Sequence, residues 1–299
     1  MGLDPRLNAF RPDLADRRLE GQVEARRFAA GEPAHVVVGL ASLRRAPAAD
    51  APQDSELLFG EAVAVFERRD DWAWVQAARD GYVGYVLAAQ LGEGHVAPTH
   101  QVAALRTFRF SRPDIKSPPL DHLSLGAPLA ASDEHDRFLE LADGGFVYAP
   151  HAEPAGVTHG DYVATAERFL AVPYLWGGRS ALGLDCSGLV QTVLRLAGRT
   201  CLRDTYMQRE EAAIGPEAAL DRPPERGDLV FSPGHVAIAT GAETLLHANA
   251  YHLAVAHETL AGFRHRLKVA GQAIDRIRRP ASVFSTGPAT APHGVELRR

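Results

Sequence analysis

Cys186 stands between an acid and a serine in "YLWGGRSALGLDCSGLVQTVLRLAG", residues 174–198. A thiol can attack a carbonyl carbon if a base takes its proton, and histidine is the usual base. His235 opens a strand-like run, "HVAIAT", just after Gly234. His247 lies in the next such run, "TLLHAN". In an antiparallel hairpin, directly paired residues have numbers with a constant sum. His235 and His247 therefore face each other if the turn centres on Gly241 in "TGA". One imidazole would then orient the other, as a third group does in a triad. A centre shifted by half a residue would put them on opposite faces. The competing reading is plain: a lone cysteine at a helix start is more often a small buried hydrophobe.

The elements that must position these groups are legible. Leu189, Val190, Val193, Leu194 and Ala197 share one helical face, and Gly198 is a natural C-cap. Cys186 then sits at the first turn, where free N–H groups and the helix dipole favour a thiolate. This predicts a thiol pKa below the ordinary value of about 8.5. Gly177, Gly178 and Gly183 let the preceding chain turn tightly. Upstream, Tyr162, Val163, Ala166, Phe169 and Leu170 follow helical spacing; Thr158 and Asp161 form a candidate capping box, and Pro173 lies past the end. Residues 35–94 hold short β-rich runs. Asp80-Gly81 between "WAWVQA" and "YVGYV" signals a tight hairpin, with Trp72 and Trp74 on one face. A second β-rich block spans 95–153, punctuated by prolines, with a hairpin at 141–150. Residues 1–34 read as a helical segment centred on Asp13 to Phe28, and residues 272–299 as a loose tail.

The bulk properties narrow the classes. Among 299 residues, Lys and Arg number 32 and Asp and Glu 37, giving a net charge of −5 without long runs of either sign. That argues against nucleic acid or an anionic membrane as the main partner. The first 20 residues show no apolar signal region, and no stretch reaches the length of a membrane span. The expected location is cytoplasmic. The two cysteines, Cys186 and Cys201, are expected to stay unpaired, with Cys201 an idle buried thiol.

"YLWGGRSALGLDCSGLVQ", "RGDLVFSPGHVAIATG" and "LLHANAYHLAV" resemble the NlpC/P60 family of cysteine peptidases over roughly residues 158–258. With the β-rich blocks, the chain is similar to the subgroup carrying two N-terminal bacterial SH3-like domains. The resemblance implies a multidomain α+β chain: two small SH3-like β-barrels at 35–94 and 95–153, a papain-like catalytic domain at 154–271, then the tail. It implies Cys186 as nucleophile, His235 as base and His247 as orienting residue. The subgroup's activity is that of a γ-D-glutamyl-L-diamino acid endopeptidase acting on murein peptides with a free N-terminal L-Ala. In the cytoplasm, that means peptide recycling.

The same resemblance assigns binding roles. Asp185 would hold the substrate's amine, although an aspartate there is also a good helix N-cap. Tyr174 and Ser187 would line the pocket. Thr205, where related chains often carry Ser, would bind the D-Glu carboxylate. Glu61 and Tyr82 of the first barrel are candidates for closing the amine pocket, with Glu56 and Tyr85 as rivals. No metal and no cofactor is expected: His247 and His252 are five apart without a CxxC or HExxH pattern. His151, His252 and His257 receive no role. Two other readings stay open: a wall-binding module with a dead papain-like domain, and a papain-like amidase or acyltransferase on another substrate.

Overall fold

The computed structural model describes residues 2–280. Alternating apolar residues build the first barrel. Its seven strands run in the order Gln53–Leu58, Leu40–Arg44, Val83–Leu87, Trp72–Ala77, Ala62–Arg69, Glu32–Val36 and Leu91–Glu93. Ala41, Leu43, Val63, Val65, Ala73 and Val75 fill it. The Trp72–Ala77 and Val83–Leu87 strands pair as expected, but Ala77 pairs with Tyr82 across a four-residue loop, 78–81, rather than a two-residue turn. Gly81 takes the left-handed position there.

The second β block forms two further small sheets, of three and five strands. The hairpin at 141–150 is present, with Phe138–Leu141 antiparallel to Phe146–Tyr148.

The N-terminal segment is not helical. Between residues 13 and 28 the chain makes one 3₁₀ turn, Arg17–Leu19, and a two-residue strand, Ala15–Asp16, paired with Phe28–Ala29. Pro12 and Gly21 interrupt any helical run. Ala9 and Leu14 gain more by burying against Phe66 and Trp74 of the first barrel. The segment is thus a strap on that barrel.

The catalytic domain pairs helix α2, Cys186–Leu196, with an antiparallel sheet. The sheet order is Ala254–Thr259, Thr244–Asn249, His235–Ala239, Leu229–Ser232, Arg276–Arg278. Odd and even residues divide its faces. Phe231, Val236, Ile238, Leu246 and Ala248 pack with Leu189, Val190 and Val193 of α2. Val230, Ala237, Ala239 and Leu245 pack under helix α4, Leu260–Val269. The strand at Arg276–Arg278 completes this sheet, so 272–280 is not loose tail. Residues 281–299 lie outside the described residues.

Helix α1 covers Tyr162–Glu167 only. Its cap is Asp161, whose carboxylate accepts from the Val163 and Ala164 amides, so the Thr158 capping box does not form. Phe169 is buried beyond the helix end, and Ala171 is left-handed, which stops the helix short of Leu170.

Candidate active site

Cys186 is the first residue of α2 and is buried. Gly188 lets the helix start press against the loop before it, because a Cβ there would collide with the Gly178 carbonyl oxygen. The sulfur lies 3.6 Å from Thr205 Oγ1, the first residue of helix α3, Thr205–Glu210. It also lies against the backbone N–H of Val236, one residue on from His235.

His235 opens its strand after the Pro233-Gly234 turn, with Gly234 left-handed. Its Nε2 is 2.8 Å from His247 Nδ1. The two histidines are not directly opposite. Leu246 pairs with Ile238 and Leu245 with Ala239, a turn shifted by one whole residue from the expected centre. A whole-residue shift keeps both side chains on one face, as diagonal neighbours. The bond between them leaves Nδ1 as the His235 nitrogen able to accept a proton. Phe263 of α4 packs on both rings, with centroids 5.9 and 5.6 Å away. Burial lowers the His235 pKa to about 4 and that of His247 to about 2. Both rings are neutral near pH 7.

Glu258 extends the row and was missed in the sequence. It lies two residues from Ala256, the partner of His247, on the same face. Its Oε2 is 3.1 Å from His247 Nε2. The two atoms are not hydrogen-bonded, so the neutral ring rests beside the carboxylate with Nε2 unpaired. Arg266 pairs with the same carboxylate. Continuing the strand register past His247 would have pointed to Glu258.

The thiol does not behave as its helix position predicts. Burial, and then the adjacent Asp185 carboxylate, push its pKa up. Hydrogen bonds from Thr205 and from the Val236 and Ser187 amides oppose this but do not win. The resting pair is therefore thiol and neutral imidazole.

Asp185 is fully engaged within the protein. It caps α2 through Gly188 N at 2.6 Å and accepts from Gly177 N at 2.9 Å and from the Ser187 hydroxyl. Arg203, wholly buried, grips both its oxygens at 2.9 and 2.7 Å. Five donors share about four lone-pair sites. The N-cap reading describes Asp185 as it stands. Arg203 also donates to Ser187 and Ser55, and is a second group the sequence reading passed over.

A cavity of about 210 Å³ opens over the thiol. Tyr174, Ser187 and Thr205 line it, as expected, together with Asp185. Tyr174 is half-buried, and burial pushes its pKa up to about 12. Unexpected walls come from Trp176, from Arg45 and Asp54 of the first barrel, from Asp204 and Tyr206, and from Arg6 of the strap.

The barrel candidates divide. Tyr82 is buried behind the wall and donates its hydroxyl to Asp204 at 3.1 Å. Glu61 is not at the site. It is buried with Arg79, Arg179 and Arg195 around it, each at 3.1 Å, where barrel and catalytic domain join. Glu56 is at the same junction and accepts from Arg179 N at 2.8 Å. Tyr85 lies in a separate cavity with Trp72, Trp74 and Arg11. Cys201 is buried and, like Cys186, free. His252 hydrogen-bonds Asn249, and His151 hydrogen-bonds Thr107. Among the described residues, the side chains grouped closely enough to share a metal are Asp133, His135 and Glu140, outside this cavity.

Comparison with known proteins agrees with this architecture. Residues 43–91 match the bacterial dipeptidyl-peptidase SH3 domain, and residues 171–270 match the NlpC/P60 family. The chain is 30% identical to a dipeptidyl-peptidase 6 of Lysinibacillus sphaericus over 238 residues, 72% of this chain and 86% of that protein. It is 27% identical to a gamma-D-glutamyl-L-lysine dipeptidyl-peptidase of Bacillus subtilis, over 65% of this chain and 71% of that one. In fold it is similar to the crystal structure of an NlpC/P60 family protein from Bacillus cereus, with a TM-score of 0.69 at 20% identity, covering 83% of this chain and 99% of that one. With a thiol at a helix start, paired histidines on the adjacent sheet and an SH3-like barrel at the cavity wall, the chain belongs to the NlpC/P60 family of cysteine peptidases.

Proposed function

We propose that this peptidase hydrolyses the bond between γ-D-Glu and the diamino acid of free murein peptides, releasing L-Ala-γ-D-Glu. The observation that carries the reading is the cavity over Cys186, walled by barrel and strap as well as by the catalytic domain. A cavity walled on that side suits a short peptide with a free amine better than a polymer. Relatives named gamma-D-glutamyl-L-lysine dipeptidyl-peptidase support the substrate class.

The chemistry follows from the neutral pair. His235 Nδ1 takes the thiol proton as sulfur attacks the γ-carbonyl carbon, forming the C–S bond and an oxyanion. The positive end of α2 and its first amides stabilise that charge. The imidazolium then returns the proton to the diamino acid nitrogen as the C–N bond breaks. Water, deprotonated by His235, hydrolyses the thioester and restores the thiol. His247 holds His235 in position, and the Glu258 carboxylate beside it offsets the charge that develops on the imidazoles. The reading places the enzyme in the cytoplasm, where peptides for recycling are free and a thiol nucleophile stays reduced.

Mass spectrometry of L-Ala-γ-D-Glu-L-Lys and its diaminopimelate counterpart, incubated with the enzyme, tests the proposal. The expected products are L-Ala-γ-D-Glu and the free diamino acid. Cys186→Ala and His235→Ala should abolish turnover, while His247→Ala keeps a residue of it, because removing an orienting group costs less. Cleavage elsewhere in the peptide, or full activity in Cys186→Ala, would overturn the reading.

A further inference from the structure

Where the first barrel meets the catalytic domain, the chain collects arginines. Arg79, Arg179 and Arg195 converge on one carboxylate, that of Glu61. Asp80 is a second acid there, 3.1 Å from Arg79 Nη2. Three guanidiniums thus face two carboxylates. Burial raises the Glu56 pKa to about 7, so below that pH this acid offsets little of the difference. Arg199 lines the same place, and Glu211 accepts from Leu202 N nearby at 2.9 Å. Counting this further pair leaves the excess at one positive charge. Unbalanced charge in a partly buried junction is costly.

The arginines differ in how much donor capacity the protein uses. Arg179 places both Nη atoms on Glu61. Arg79 divides its own among Glu61, Asp80 and the Gln191 side chain. The Nε of each is buried without a hydrogen-bond partner. Arg195 gives Glu61 a single N–H, at 3.1 Å. Its Nε and Nη2 make no hydrogen bond among the described residues, and 38% of its side chain is exposed. Arg195 lines two cavities. One, of about 370 Å³, has Arg79, Gln191, Arg199, Thr200 and Cys201 among its walls. The other, of about 170 Å³, has Glu61, Arg179 and Thr192. Neither shares a lining residue with the cavity over Cys186.

We infer that the larger of these cavities binds the phosphate group of a small anionic molecule, held by Arg195 and Arg199 of the catalytic domain together with Arg79 of the barrel. Guanidiniums carried by three separate parts of the chain suit a tetrahedral group, with oxygens on every side. A carboxylate is planar, and one fork satisfies it. The C-terminal end of α2 does not attract an anion, so the arginines supply the attraction. A phosphate here provides the missing negative charge and ties the barrel to the catalytic domain.

The test uses inorganic phosphate as the probe, on the full chain near pH 6.5. Titration calorimetry should show saturable binding below about 1 mM, an affinity that two charge-assisted hydrogen bonds can provide. The thermal midpoint should rise with phosphate, by mass action on the folded state. Sodium chloride at matched ionic strength, or acetate in place of phosphate, should do much less of both. Arg195→Gln and Arg199→Gln should each weaken phosphate binding about 10-fold or more, the scale of one such bond. Arg199→Gln leaves the Glu61 cluster whole, which keeps the test open should Arg195→Gln not fold. Alkylation of Cys186 by iodoacetamide at the wild-type rate reports that a variant is folded. No saturable binding of phosphate to wild type overturns the inference. An equal response to chloride or acetate also overturns it, as does wild-type affinity in either folded variant.

Discussion

At the scale of single residues, the nucleophile and its two histidines could be read from type and spacing, but their ionisation could not. A helix start favours a thiolate in the abstract. Here Cys186 is buried, and its helix is capped by a carboxylate one residue away, so the charged form is disfavoured. Burial likewise holds His235 neutral down to about 4. The proton therefore moves during attack and is not transferred beforehand. The rate of Cys186 alkylation by iodoacetamide in the ligand-free enzyme should accordingly keep rising through pH 9. A plateau already reached below about 8.5, the ordinary thiol value, would show a preformed ion pair. The engagement of Asp185 was hidden for a related reason. Its strongest partner, Arg203, lies 18 residues away, and no local spacing links them.

At the scale of elements, what repeats regularly was legible. The helical face behind Cys186 and the alternation of the His235 and His247 strands follow from side-chain period alone. The exact register did not, since a whole-residue shift of the turn preserves the faces and leaves no mark in the pattern. Glu258 escaped because the reading stopped at the second histidine. The strap was misread as helix because propensity is a weak guide when two apolar side chains, Ala9 and Leu14, can be buried against a neighbouring barrel. The start of α2 is the element most sensitive to small changes. The Gly178 carbonyl, which meets Gly188, also accepts the Asp185 amide at 3.2 Å and an Arg203 guanidinium N–H at 3.4 Å. Gly188→Ala should shift this loop, lower stability by about 1–3 kcal/mol, the usual cost of overpacking, and slow turnover. A denaturation midpoint and kcat both equal to those of wild type would contradict this account of the helix start.

At the scale of the whole molecule, the first barrel, its strap and the catalytic domain together wall the cavity over Cys186. The sequence marked the domains by their textures, but the contacts between them join residues more than a hundred positions apart. Glu61 holds Arg179 and Arg195 across the junction, and Glu56 holds the Arg179 amide. Burial raises the Glu56 pKa to about 7 from an ordinary 4.5. The folded state thus favours the protonated acid. Its contribution to stability is complete below pH 4.5 and is lost as pH rises through about 7. Glu56→Gln, neutral throughout, should gain about 1–3 kcal/mol over wild type between pH 4.5 and 8 in chemical denaturation. A constant difference across that range would mean that Glu56 is ionised in the folded protein. The same joined wall carries the central claim, that the site accepts a free peptide end and nothing longer. The direct measurement is kcat/KM for L-Ala-γ-D-Glu-L-Lys beside the same peptide linked through its amine to N-acetylmuramic acid. The free peptide should be cleaved and the muramyl peptide refused, because the linkage removes the ammonium and adds bulk where strap and barrel stand. Comparable kcat/KM for the two would show an open site and contradict the account.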